Sequence, residues 1–175
     1  MKKATCLMVL IMYCCLLSAQ DQDSSFNCSD LHEKLVIIKN SFDKLETYKK
    51  ELVKDFGNQK VYSTDFKICD HDGKLSIMKG DTASQIGFYF TFDRANRSDH
   101  ELQRKHSDVL LKELKRVFND WDEERSAEDH GDLNFIELME KGYYKARIKR
   151  EIILTLYRYY NDDYSIKLEF NWKNY

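Results

Sequence analysis

No proline occurs anywhere in the 175-residue chain. Proline interrupts a helix interior because its ring clashes with the preceding turn and it has no N–H to donate. A chain without proline is therefore free to form long helices. Its length, with 42% hydrophobic and 33% charged residues, predicts one domain with a hydrophobic core. The formal net charge of -2 gives no general attraction to nucleic acid or to an anionic membrane.

The N-terminal segment has the layout of a secretory signal peptide. Two lysines precede an apolar run, Cys6 to Leu17, and the small residues Ser18 and Ala19 follow it. This run is shorter than the roughly 20 residues that span a bilayer, so an uncleaved membrane anchor is the less favoured alternative. We predict a signal peptide at residues 1–19, a mature domain at 20–175 and secretion to the extracellular space, without stable membrane insertion.

Removal of the signal peptide would leave two cysteines, Cys28 and Cys69. An even pair in an oxidising compartment predicts one disulfide, and two free thiols are the alternative. Asn27 and Asn96 each begin an Asn-X-Ser sequence. This pattern predicts N-glycosylation of both asparagines at the protein surface.

The apolar spacing in the first two thirds of the chain predicts helices. From Leu31 to Phe56 apolar residues recur mostly at three- and four-residue intervals, which is typical of a long amphipathic helix. Residues 59–79 have mixed polarity and predict a long connection. The aromatic segment 86–92 and the amphipathic segment 102–121 each follow a capping-box pattern, so we predict a helix for both.

The last third of the chain predicts two more helices and an extension. Residues 119–132 are acidic and polar, as in a solvated linker. Residues 133–141 predict a short helix ended by Gly142, and residues 143–160 predict the helix that closes the bundle. Residues 164–172 alternate like a strand, but a lone strand has no obvious partner, so we predict an extension packed on the bundle. Together these elements predict an all-α helical bundle.

No arrangement typical of an enzyme is visible. The five histidines lack zinc-ligand spacing, and there is no nucleophile elbow, phosphate-binding glycine loop or complete calcium loop. We interpret Asp70, His71 and Asp72 as solvated loop residues, because exposed charged residues are seldom ligands. The sequence therefore predicts a non-enzymatic protein without a cofactor or metal. It also shows no internal repeat.

The stretch from Phe135 to Ala146 and its continuation from Glu151 to Leu154 resemble the last two helices of the interleukin-10 family. Its distinctive part is EKGYYKA, from Glu140 to Ala146. Cys28 to Thr47 resembles the family's first helix, and Gly80 to Tyr89 its third. The resemblance implies a six-helix class II cytokine bundle that binds a two-chain class II cytokine receptor and modulates immune signalling through STAT proteins. The chain lacks cysteines that the family has, and such drift would suit a virus-encoded immune-evasion mimic.

The resemblance also implies four receptor-binding residues. Lys39 and Lys44 stand where the family's first helix carries basic receptor-facing residues. Lys145 matches a lysine of the last helix, and Glu151 stands at an acidic position. An ordinary solvated helix face is the alternative interpretation for each of them.

Two other functions remain open at this point. The run from Ser84 to Phe90 also resembles part of interferon-gamma, a neighbouring class II cytokine, and a secreted helical carrier of a hydrophobic ligand is the second alternative. Relatives in the interleukin-10 family are either monomers or homodimers that exchange their last two helices. The length of the linker at residues 119–132 would decide between these states.

Overall fold

The chain folds around one antiparallel sheet. The computed structural model describes residues 28–92, 100–126, 134–158 and 164–175, and within them the sheet has eight strands. The helical elements of this part are α1 (Leu31–Asn40), α2 (His100–Val117) and two 3₁₀ segments, Phe42–Tyr48 and Tyr143–Lys145. The strands are β1 (Leu52–Asp55), β2 (Gln59–Ile68), β3 (His71–Lys79), β4 (Ser84–Thr91), β5 (Asp122–Ser126), β6 (Asn134–Met139), β7 (Ile148–Arg158) and β8 (Tyr164–Asn174).

The sheet consists of two similar halves. Each half is a helix followed by a four-strand meander, and the strand order across the sheet is β1-β2-β3-β4-β8-β7-β6-β5. The last strands of the two meanders, β4 and β8, pair in the middle from Ser84 opposite Asn174 to Thr91 opposite Lys167. The first strands, β1 and β5, form the two outer edges. This structural repeat has no counterpart that can be seen in the sequence.

Both helices cover the same face of the sheet. The buried stripe of α1 and that of α2 pack on alternate side chains of the central strands, as a period-two strand pattern requires. The residues at the centre of this core are Leu35, Ile38, Leu110, Leu114, Phe88, Phe90, Ile166, Leu168 and Phe170. Gly73 on β3 leaves room for the core rings, because a Cβ there would lie 2.5 Å from Cε2 of Phe88. None of the described helices is long and apolar enough to cross a membrane.

The predicted all-α six-helix bundle is wrong. Residues 59–79 form the β2–β3 hairpin and not a connection, the aromatic segment 86–92 lies mainly in β4, and residues 133–141 contain β6. Residues 143–160 contain β7 in place of the closing helix. These runs are rich in aromatic and β-branched residues, which favour strands, and periodicity alone does not separate a short buried strand from a buried helix.

The helix prediction succeeds in two places. α2 covers most of the predicted segment 102–121 but begins two residues earlier. α1 forms only the first part of the predicted helix from Leu31 to Phe56, because the end of that segment is β1. The predicted extension at residues 164–172 is wrong, because β8 pairs with β4 on one side and with β7 on the other, as the strand-like alternation of this segment indicates. The last two helices, which interleukin-10 relatives exchange between protomers, are likewise replaced by strands.

Candidate functional site

The face of the sheet opposite the helices, which we call the polar face, carries the candidate site. On β8 the residues Ile166, Leu168 and Phe170 are buried beneath the helices. The intervening residues Lys167, Glu169, Asn171 and Lys173 therefore point to the polar face, because successive side chains of a strand alternate between faces. The pairing of β8 with β4 and β7 places further polar residues beside them.

A cavity of about 250 Å³, the polar-face cavity, opens on this face across β2, β3, β4 and β8. Its volume is below the roughly 300–1,000 Å³ that is typical of sites for drug-sized ligands. It spans the junction between the two halves of the sheet. The lining residues are Gln59, Ser76, Met78, Gln85, Gly87, Tyr89, Lys167, Glu169 and Asn171.

Gly87 contributes to this cavity by having no side chain. It lies opposite Ser76 on one side and Asn171 on the other. A Cβ at this position would be 3.0 Å from Oδ1 of Asn171, which is closer than most real Cβ contacts. The glycine therefore leaves the space beside the Asn171 amide open.

The lining is mostly uncharged and polar. Gln59 donates a hydrogen bond from Nε2 to Oγ of Ser76 at 2.8 Å. The two charged groups neutralise each other, because Nζ of Lys167 lies 2.8 Å from Oε1 of Glu169. The same ammonium lies 5.2 Å from the centre of the Tyr89 ring, and burial raises the pKa of the Tyr89 hydroxyl. The cavity therefore offers amides and hydroxyls without a net charge.

Asn171 connects the cavity to a buried carboxylate. Its Nδ2 donates a hydrogen bond to Oε1 of Glu151 at 3.3 Å, while its Oδ1 faces the space above Gly87. Glu151 is only 2% exposed. Its carboxylate also accepts a hydrogen bond from the hydroxyl of Tyr143 and forms an ion pair with Lys173. Such a network fixes the orientation of the Asn171 side chain, since each buried polar group has a partner.

A second carboxylate, Glu137 on β6, interacts with this network. Burial raises the pKa of Glu137, and the charge of Glu151 and a hydrogen bond between the two side chains raise it further. Burial and the hydrogen bond to Glu151 likewise raise the pKa of Tyr143. The network thus favours the neutral form of the Tyr143 hydroxyl and disfavours a second negative charge at Glu137.

The structure does not bring the four predicted receptor-binding residues together. Lys39 donates hydrogen bonds from Nζ to the carbonyl oxygen of Val117 and to Asp120, both at 2.8 Å, so it joins α1 to the end of α2. Its ammonium lowers the pKa of Asp120. Lys44 and Lys145 are exposed in the two 3₁₀ segments, whereas Glu151 is buried in the network of the polar face.

The cysteines and glycosylation sites fall into different parts of the chain. The structure joins Cys28 and Cys69 in a disulfide with their Cα atoms 4.7 Å apart. This bond links the start of α1 to the turn between β2 and β3. The predicted signal peptide at residues 1–19 and the glycosylation sites Asn27 and Asn96 lie outside the described residues.

Sequence reasoning did not single out the residues that line the polar-face cavity. Three of the lining residues, Lys167, Glu169 and Asn171, could have been placed on one face from the sequence. They occupy every second position of the strand-like alternation at residues 164–172. Without knowledge of the neighbouring strands, Gln59, Ser76 and Gln85 could not be assigned to the same face. Within the described ranges, no group of three or more His, Cys, Asp or Glu side chains is placed to share a metal ion.

Comparison with known proteins finds no matching family model, no matching curated protein and no matching solved structure. Nothing in these comparisons therefore identifies an interleukin-10 relative. The cytokine assignment also conflicts with the β-rich fold, since the stretch that resembled the family's last two helices lies mainly in β6 and β7.

Proposed function

We propose that this chain is an extracellular, non-enzymatic binding protein that holds one small neutral sugar unit in the polar-face cavity. The observation that carries the proposal is the composition of the cavity lining, in which side-chain amides and hydroxyls surround Gly87. Amide and hydroxyl groups both donate and accept hydrogen bonds, as the hydroxyls of a sugar do. Met78 adds an apolar surface for the C–H groups of a sugar ring.

The size and charge of the cavity support a ligand of this class. A volume of about 250 Å³ suits one ring better than an extended chain. Because Lys167 and Glu169 pair with each other, neither charge is left free to select an ionic ligand. The Glu151 network supports binding indirectly by holding Asn171 in place before the ligand arrives, which lowers the entropic cost of binding.

Secretion remains part of the proposal. It is supported by the leader pattern at residues 1–19 and by the disulfide, which is typical of oxidising compartments. A carrier of a large hydrophobic ligand is less well supported, because the polar-face cavity is small and lined mainly by polar groups. A role as a class II cytokine is not carried forward, since it relied on helices that are strands in this fold.

The test is binding of a panel of neutral monosaccharides to the purified secreted chain, measured by ligand-detected NMR and by titration calorimetry. We expect binding that Gly87→Val abolishes, because the added side chain would press on Asn171 and fill the cavity. Lys74→Ala is the matched control, since Lys74 is exposed on the same face opposite Tyr89 but does not line the cavity. Absence of binding across the panel, or equal binding by a folded Gly87→Val variant, would refute the proposal.

A further inference from the structure

The outer edge of β1 is open and unusually apolar. β1 pairs only with β2 in the described sheet, so the backbone groups along its other side have no strand partner there. Leu52 and Val53 are 51% and 50% exposed, and Phe56 is 61% exposed. An open edge of this kind is a template for pairing with another strand.

The charges along this edge are arranged so that a second copy of the same strand complements them. From Lys50 to Asp55 the sequence is Lys-Glu-Leu-Val-Lys-Asp, which is positive, negative, apolar, apolar, positive, negative. Suppose that the same segment of a second copy runs antiparallel to this one, with the midpoint between Leu52 and Val53 aligned in both. Every positive residue of one copy then lies opposite a negative residue of the other. Glu51 then faces the partner's Lys54, and Leu52 faces the partner's Val53.

A β-bulge places the side chains for this contact on one face. Leu52 lies opposite Tyr62 and Lys54 opposite Val61, so Val53 is the extra residue of the bulge. The carbonyl oxygen of Glu51 accepts a hydrogen bond from the amide of Ser63. Because Val61 and Ser63 are two residues apart on β2, the side chains opposite them lie on the same face. In a regular strand, Glu51 and Lys54 would lie on opposite faces.

These two charges are also free to form a new contact. Glu51 and Lys54 are exposed, and neither side chain has an ion-pair partner among the described residues. The flanking residues differ, because Lys50 already pairs with Asp65 and Asp55 with Lys60. The contact between Glu51 and Lys54 therefore determines the register of the two strands.

We propose that β1 is a homodimer interface, in which two copies of the chain join their β1 edges antiparallel about a twofold axis. The pairing would form one continuous sheet from both copies, with Leu52 and Val53 at its centre and two Glu51–Lys54 ion pairs related by the axis. Such an isologous contact uses the same surface on both copies and closes at two. The opposite edge differs, since β5 presents the consecutive carboxylates Asp122, Glu123 and Glu124.

The experiment is sedimentation velocity on the wild-type chain and on the charge reversals E51K and K54E. We expect the wild type to show a concentration-dependent dimer, and each single variant to dimerise at least about tenfold more weakly because like charges then face each other. An equimolar mixture of the two single variants should form a heterodimer, since all facing charges are then opposite. The double variant E51K/K54E should dimerise like the wild type.

The mixture makes the test independent of folding defects, because a misfolded variant would not regain association when combined with the other. K105E is the control, since Lys105 is exposed on α2, away from the edge. A wild type that stays monomeric at every concentration, single variants that dimerise as strongly as the wild type, or a mixture that does not associate would each overturn the proposal.

Discussion

Truncation of Glu151 to alanine tests whether the network of the polar face stabilises the fold. Glu151 is 2% exposed, and its carboxylate interacts with Tyr143, Asn171 and Lys173. Glu151→Ala removes the acceptor for all three groups at once. The ammonium of Lys173 and the hydroxyl of Tyr143 would then have to find water or remain unpaired.

The expected loss of stability in Glu151→Ala follows from the burial of Glu151 and of its ion-pair partner Lys173. Breaking a buried ion pair by removing one partner costs about 3–5 kcal/mol. The side chain of Lys173 keeps 20% of its surface exposed, so water can reach the ammonium and the lower end of this range applies. Loss of the repulsion between Glu151 and Glu137 offsets part of that cost. We therefore expect Glu151→Ala to lower the free energy of unfolding by about 2–3 kcal/mol.

The assay is urea unfolding followed by circular dichroism and tryptophan fluorescence. The control is Glu46→Ala, because Glu46 pairs with Lys49 at the surface, where the two side chains are 47% and 39% exposed. A surface pair of this kind is worth about 0–1 kcal/mol. The reasoning is refuted if Glu151→Ala costs no more than Glu46→Ala. Lys173→Met in the Glu151→Ala background should recover part of the loss, because it removes the unpaired ammonium.

Two further predictions concern the disulfide and Glu137. The bond between Cys28 and Cys69 closes a loop of 41 residues. Replacing both cysteines by serine should therefore lower the free energy of unfolding by about 4 kcal/mol, as measured by urea unfolding. An unchanged urea midpoint would contradict this. The raised pKa of Glu137 means that the folded state binds the Glu137 proton more tightly than the unfolded state does. Protonated Glu137 therefore stabilises the fold at low pH. This stabilisation is lost as the pH rises through the raised pKa. Glu137→Gln should therefore make the thermal midpoint less dependent on pH above about pH 4, the ordinary range of a glutamate pKa, and raise it at neutral pH. Parallel curves for variant and wild type would show that Glu137 does not carry this dependence.

The sequence is informative where a pattern is local and ambiguous where it depends on neighbouring strands. α2 follows from its own periodicity, because Leu110, Leu114 and Val117 recur at four- and three-residue spacing and are buried. β4 does not, since Ile86, Phe88, Tyr89 and Phe90 are apolar or aromatic on both faces of any short element. The absence of proline is compatible with long helices, but it also permits unbroken central strands, because proline cannot donate a hydrogen bond between strands.

The candidate site was harder to predict than the fold elements. Its polar groups come from β2, β3, β4 and β8, and the register that places Ser76 beside Gly87 and Gly87 beside Asn171 depends on long-range pairing. Glu151 was selected for a surface role by its resemblance to a helix position. As a strand residue it lies on the polar face beneath Tyr143 and Lys173, because β7 alternates its side chains between the two faces.

The central position of β8 has a consequence for how the chain folds. β8 follows all other strands in chain order, but it lies between β4 and β7 and completes the hydrogen bonding of both. The partners of β4 on β8 lie more than 75 positions later in the chain, so β4 has an unpaired edge until the second half of the sheet forms. Because pairings so distant in sequence form slowly, we expect assembly of the two halves to limit the folding rate. Until β8 docks, the rings of Phe88 and Phe90 lie beside an unpaired edge, which is the stage at which newly made chains are most prone to aggregate.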